Sequence, residues 1–174
     1  MVARVAGAMG EALNQKGGKL KLPLILAGAL LHDIAKTRSV REGGNHVAMG
    51  RKMVLEMGYP EVAWIVGSHV DLGPEIANTI DEATVVNYGD KRVEHDKVVP
   101  LRERFEALVT RYGKTAEDRV RFQQMYGNME RLEKQIFGRI SLSPDDLIFM
   151  IERSAPVFWL KPRSSSATGS KDSG

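Results

Sequence analysis

The stretch Leu22-Pro23-Leu24-Ile25-Leu26-Ala27-Gly28-Ala29-Leu30-Leu31-His32-Asp33 decides the reading of this chain. Pro23 opens a helix at a favourable first-turn position, and apolar residues carry it to about Ala35. The run from Leu22 to Leu31 falls short of the roughly 18 apolar residues of a membrane span and stops at an ionisable pair. A buried helix is thus expected to place His32 and Asp33 where leucine normally stands.

The same helical period extends in both directions. Val2, Val5, Ala6, Met9 and Leu13 form one stripe, which the Gly17-Gly18 pair ends. The polar segment Thr37 to Gly44 reads as a loop. Asn45 caps the next helix and Gly58 closes it in a left-handed conformation. Pro60 opens another helix, to about Val70, and Asp81, Pro100 and Thr115 start three more. Ser143-Pro144-Asp145-Asp146 is a capped start for a last short one. No stretch sustains apolar/polar alternation, so the expected fold class is all-α, a helical bundle.

A chain of 174 residues, 43% hydrophobic and 27% charged, matches one soluble globular domain. Residues 1–162 are expected to form it, with a core over about 2–110 and C-terminal helices over 115–153. Residues 163–174, made of Ser, Gly, Ala and charges, read as a disordered tail. Val157-Phe158-Trp159-Leu160 is apolar enough to dock on the body. The 25 basic and 22 acidic residues give +3, interleaved rather than clustered, which argues against specific nucleic-acid binding. The absence of cysteine excludes disulfides, thiolate zinc sites, iron–sulfur clusters and a cysteine nucleophile. Met1 to Met9 lacks the layout of a secretory signal, and a cytoplasmic location without membrane association is expected.

His-Asp pairs occur at His32-Asp33 and His95-Asp96. The second lies in the charged stretch Lys91 to Lys97 and reads as solvated. The first joins other ionisable groups on apolar stripes. Val62, Ile65, His69 and Leu72 follow a 3-4-3 spacing, and Ala83, Val86, Asp90 and Val93 repeat it. His46 leads the stripe Met49, Met53 and Met57, whose methionines read as core packing. A single inward histidine is most often a hydrogen-bonded core residue. Inward groups on four helices are costly unless they meet and satisfy one another. His32, Asp33, His46, His69 and Asp90, converging without cysteine, match a nitrogen/oxygen site for a divalent metal. Arg38, Arg41 and Asn45, around the loop before His46, are placed to meet a substrate, and Lys91 adjoins Asp90.

The succession Leu30-Leu31-His32-Asp33-Ile34-Ala35-Lys36, Asn45-His46, Ser68-His69 and Gly89-Asp90-Lys91 resembles the HD-domain phosphohydrolase superfamily over about residues 2 to 110. The resemblance implies a helical bundle holding one or two divalent ions (Mn, Fe, Mg, Zn or Ni). It implies His32, Asp33 and Asp90 on one ion, and Asp33, His46 and His69 on a second, with Asp33 bridging. Lys36 matches a lysine that contacts substrate phosphate in many members, so Asp33 and Lys36 become the catalytic residues. Lys36, Asn45 and Lys91 become the substrate-binding ones. The implied activity is hydrolysis of a nucleotide or related phosphate ester, as monoester or diester. The family pattern usually begins with a histidine that here would fall ahead of Met1. That departure raises the alternative of a non-catalytic domain that binds a nucleotide or effector and regulates an attached enzyme. An upstream domain, and a homo-oligomer assembled through Val157 to Leu160, stay open.

Overall fold

A computed structural model describes residues 1–72 and 79–153. Among them the chain is helical apart from one small hairpin. Its helices are α1 (Val2–Gln15), α2 (Leu22–Leu31), α3 (Lys36–Glu42), α4 (His46–Glu56), α5 (Pro60–Ser68) and α6 (Glu82–Lys91), then α7 (Leu101–Tyr112), α8 (Ala116–Phe137) and α9 (Pro144–Arg153). Strands β1 (Val93–Glu94) and β2 (Lys97–Val98) pair antiparallel between α6 and α7, with Val93 opposite Val98. The expected tail and the Val157 to Leu160 segment lie outside the described residues.

The expected caps are present. Asn45 accepts hydrogen bonds from the backbone N–H groups of Val47 and Ala48, and Asp81 and Thr84 form a reciprocal capping box. Thr115 and Asp118 form a second such box, and Ser143 and Asp146 bond reciprocally at the start of α9. Gly58 takes φ +86°, a left-handed turn that lets Pro60 open α5. His95 and Asp96 occupy the exposed hairpin turn.

Helix α2 is central and packs on α1, α5 and α6. Val5, Ala6 and Met9 of α1, Ile25 and Ala29 of α2, Ile65 of α5, and Val85, Val86 and Tyr88 of α6 share one core with Leu132, Ile136, Leu147 and Ile151 of α8 and α9. A second cluster, Val54, Val62, Ala63 and Val66, joins α4 to α5. Close approach depends on glycine. A Cβ at Gly28 would lie 2.5 Å from Ile65 Cγ2 and 3.0 Å from its Cβ, atoms held next to the α5 backbone.

Three sequence expectations need correction. Helix α2 does not run to Ala35 and is not buried all round; it ends at Leu31, and Leu30 is 73% exposed. Tight i→i+3 bonds, Ile34 N to Leu31 O and Lys36 N to Asp33 O, both 2.9 Å, carry the chain through a 3₁₀-type turn instead. Thr37 to Gly44 is not simply a loop, because α3 occupies Lys36–Glu42. It buries no residue and so carries no apolar stripe; the Arg38–Glu42 pair at 2.7 Å supports it. Met57 is 57% exposed rather than core, and Met49 and Met53 are only half-buried. The packed line of α4 runs through Gly50 and Val54, since a missing side chain at Gly50 lets α5 come close at Val66.

Two predictions follow from this packing. Gly28→Val should destabilise the fold by about 1–3 kcal/mol through overpacking against Ile65, read as a lower urea midpoint; an unchanged midpoint would refute the close approach. Backbone and side-chain bonds from Thr115 and Ser143 hold the carboxyls of Asp118 and Asp146 below the usual carboxylate range. A depressed folded pKa contributes stability above the unfolded value, near 3.9, and that contribution is lost as pH falls through the folded value. Protection of the amides in the first turns of α8 and α9, taken relative to their intrinsic exchange rates, should therefore fall below about pH 4, ahead of the α6 interior.

Candidate metal centre

Three helix ends and one helix start build the site. His32 is the C-cap of α2 and His69 the C-cap of α5. Each folds its ring back onto its own helix end: His32 Nδ1 donates to Ala29 O and His69 Nδ1 to Val66 O, both at 2.7 Å. A carbonyl only accepts, so Nδ1 carries the proton in both rings, and the neutral ring presents Nε2 as a lone pair. His46 stands in the first turn of α4, immediately after the Asn45 cap. Asp33 lies in the turn after α2, and Asp90 in the last turn of α6.

These groups converge. His46 Nε2 and His69 Nε2 lie 3.5 and 3.6 Å from Asp33 Oδ1. His32 Nε2 lies 3.6 Å from both Asp33 Oδ2 and Asp90 Oδ1. The ring centroid of His69 lies 5.2 Å from that of His32 and 5.4 Å from that of His46. One ligand atom from each of Asp33, His46 and His69 falls within 4.8 Å of the others.

The separations are too long for hydrogen bonds. Two ligands sharing a cation at about 2.1 Å sit roughly 3.0–3.4 Å apart, within a few tenths of an ångström of what is found. Asp33 Oδ1 is buried without any hydrogen-bond partner, though three imidazoles surround its carboxylate. An unpaired buried carboxylate oxygen is costly, and a divalent ion is the partner that neutral imidazole lone pairs would share with it. The residues therefore fit a divalent cation.

Electrostatics favour the forms of these side chains that a cation could share. Burial alone would push the Asp33 carboxyl up, but the Lys36 ammonium hydrogen-bonded to Oδ2 counters it, and the carboxyl lies well below the usual range. Burial likewise opposes ionisation of Asp90, and the Lys91 ammonium bonded to it overcomes that, leaving the pKa lowered. Burial pushes the His46 imidazole down, toward the neutral ring a metal needs.

The other predicted residues occupy distinct positions. Lys36 Nζ donates to Asp33 Oδ2 at 2.8 Å with its side chain half-exposed at the mouth. Asn45 is exposed and uses its side-chain oxygen as the α4 cap, while Arg38 pairs with Glu42. Lys91 is buried, its Nζ 2.7 Å from Asp90 Oδ2 and 3.2 Å from His69 O. His95 and Asp96 stand apart on the hairpin. Asn87 went unnoticed in the sequence: its Nδ2 donates to Ser68 O at 3.1 Å and His69 O at 2.7 Å. An amide between Val86 and Tyr88 on a buried helix was the available signal.

Comparison with known proteins agrees with this geometry. The HD domain family model matches residues 1–104. The chain therefore belongs to the HD-domain family, which lies within the metal-dependent phosphohydrolase superfamily. An uncharacterized protein of Methanocaldococcus jannaschii, MJ0778, is 29% identical, with 56% of this chain and 69% of that protein aligned. No solved structure matches. Among the described residues, no helix is long and apolar enough to cross a membrane.

Asp33→Ala should abolish most uptake of Mn²⁺, measured by elemental analysis after desalting, with helicity by circular dichroism retained. Replacing His95 and Asp96 with alanine together should leave uptake unchanged; metal loss in that variant would show that the wrong His-Asp pair had been chosen.

Proposed function

We propose that this chain is a metal-dependent phosphohydrolase acting on a small phosphorylated substrate, a nucleotide or related phosphate ester. The observation that carries the proposal is the orphaned Asp33 Oδ1 facing the histidines. His46, His69 and Asp33 would hold one divalent ion, and His32, Asp33 and Asp90 a second. When bound, such an ion polarises a phosphoryl oxygen and brings the pKa of water toward about 7.

The chain's own residues supply the rest. Asp33 gives Oδ1 toward the His46/His69 side and Oδ2 toward His32, so one carboxylate links the two halves of the site. Lys36 keeps a cation at the mouth, hydrogen-bonded to Asp33 yet half in solvent, where it can exchange that partner for a phosphoryl oxygen. The amide N–H₂ of Asn45 adds a neutral donor at the start of the helix that carries His46. The Nδ1 bonds of His32 and His69 keep both rings from rotating as charge builds on the substrate.

Turnover of p-nitrophenyl phosphate and bis-p-nitrophenyl phosphate under Mn²⁺ tests the reading. Chelation with EDTA should remove hydrolysis of at least one of them, and added Mn²⁺ should restore it. Metal-loaded protein that turns over neither these esters nor nucleoside phosphates would instead support a binding-only, regulatory domain.

A further inference from the structure

Asn87 and Lys91 lie one turn apart on α6, and their side chains meet at a single atom of another helix. His69 closes α5, and its carbonyl belongs to the group that a helix end leaves without an intrahelical donor. Asn87 Nδ2 and Lys91 Nζ both donate to that carbonyl, at 2.7 and 3.2 Å. A second helix thus caps α5 at the residue that carries a metal-facing imidazole. The same ammonium donates to Asp90 Oδ2 at 2.7 Å, which leaves Oδ1 turned to His32 Nε2 at 3.6 Å.

Lys91 is only 5% exposed, whereas a lysine that serves solvent keeps its head in water. A buried ammonium persists where its partners are fixed, and both partners here belong to the metal centre. Lys36 is the contrasting case, with a side chain 53% exposed against 6% for Lys91. A phosphate reaching Lys91 would have to displace both Asp90 and the end of α5.

We propose that Lys91, supported by Asn87, is a positioning residue of the metal centre, tying Asp90 to the carbonyl of His69 and so fixing both ligands relative to Asp33, and that it does not contact substrate. The proposal rests on the metal-site reading above. Titration of the full chain with Mn²⁺ by calorimetry, alongside thermal unfolding of the metal-free protein, tests it in Lys91→Met and Lys91→Arg. Lys91→Met should weaken Mn²⁺ binding roughly 10–100-fold, as losses behind metal ligands do, and Lys91→Arg should recover most of it. Unchanged Mn²⁺ affinity, with only a raised KM for phosphate ester or only a lower unfolding temperature, overturns the assignment. If Lys91→Met does not fold, Asn87→Ala is read in the same titration: it removes a donor to the His69 carbonyl without altering charge. Weakened binding supports the proposal, and wild-type affinity overturns it. Wild-type protein that takes up no Mn²⁺ overturns the metal reading itself, and that result precedes any substitution.

Discussion

The structure is organised around the burial of one carboxylate oxygen that nothing among the described residues satisfies. Among the described residues Asp33 Oδ1 has no hydrogen-bond partner, and the Nε2 atoms of His46 and His69 stand 3.5 and 3.6 Å from it. If either ring carried a proton on Nε2, a small rotation would give a hydrogen bond; for His69 the bond from Nδ1 to Val66 O commits the proton to the opposite side of the ring. With the rings neutral, the fold holds an anion against lone pairs, an arrangement that costs free energy until a cation arrives. Lys36 and Lys91 offset part of that cost, one on each carboxylate, without occupying the space between the ligand atoms.

Such an arrangement depends on where helices stop. Both His32 and His69 are C-caps, and each uses its ring to satisfy a carbonyl that its own helix leaves open. That bond is also what aims Nε2 inward. A histidine inside a helix has no open carbonyl three residues back, so the same sequence in a longer helix would leave its ring free to rotate. The 3₁₀-type turn after Leu31 is thus a requirement of the site, since it ends α2 at His32 and turns Asp33 toward α4 and α5.

These requirements separate what could be read in the sequence from what could not. The caps Asn45, Asp81 and Thr115 and the stripes through Ile65 and Val86 are local signals, and the structure contains them. The meeting of His32, Asp33, His46, His69 and Asp90 was legible because ionisable residues recurred at core spacing. The break after Leu31 was not, because the apolar run continues through Ile34 and Ala35 and hydropathy carries no trace of a side chain bonding to its own backbone. Helix α3 escaped because it buries nothing, and Met57 misled because the contact line of α4 passes through a glycine that hydropathy scarcely registers. Lys91 and Asn87 donate to backbone carbonyls 22 and 18 residues away, and no sequence spacing encodes such a contact.

Arg92 is fully buried directly after Asp90 and Lys91, and its guanidinium donates to Val99 O at 2.7 Å, Pro144 O at 3.0 Å, Glu133 at 3.2 Å and the Tyr88 hydroxyl. Tyr88 passes its proton-side bond on to Glu133; burial, together with that carboxylate, outweighs Arg92 and pushes its phenol pKa upward, so it remains a donor. A buried guanidinium is tolerated only when its donors are matched, and two of these acceptors come from α8 and from the first residue of α9. Both lie beyond residue 104, where the family match ends. The end of α6 is therefore fixed from two directions: Lys91 ties it to α5 through the His69 carbonyl, and Arg92 ties it to the C-terminal helices. Because Asp90 lies between the two anchors and the rest of α6, displacement of α8 or α9 would be transmitted to a carboxylate of the site through only two residues of backbone.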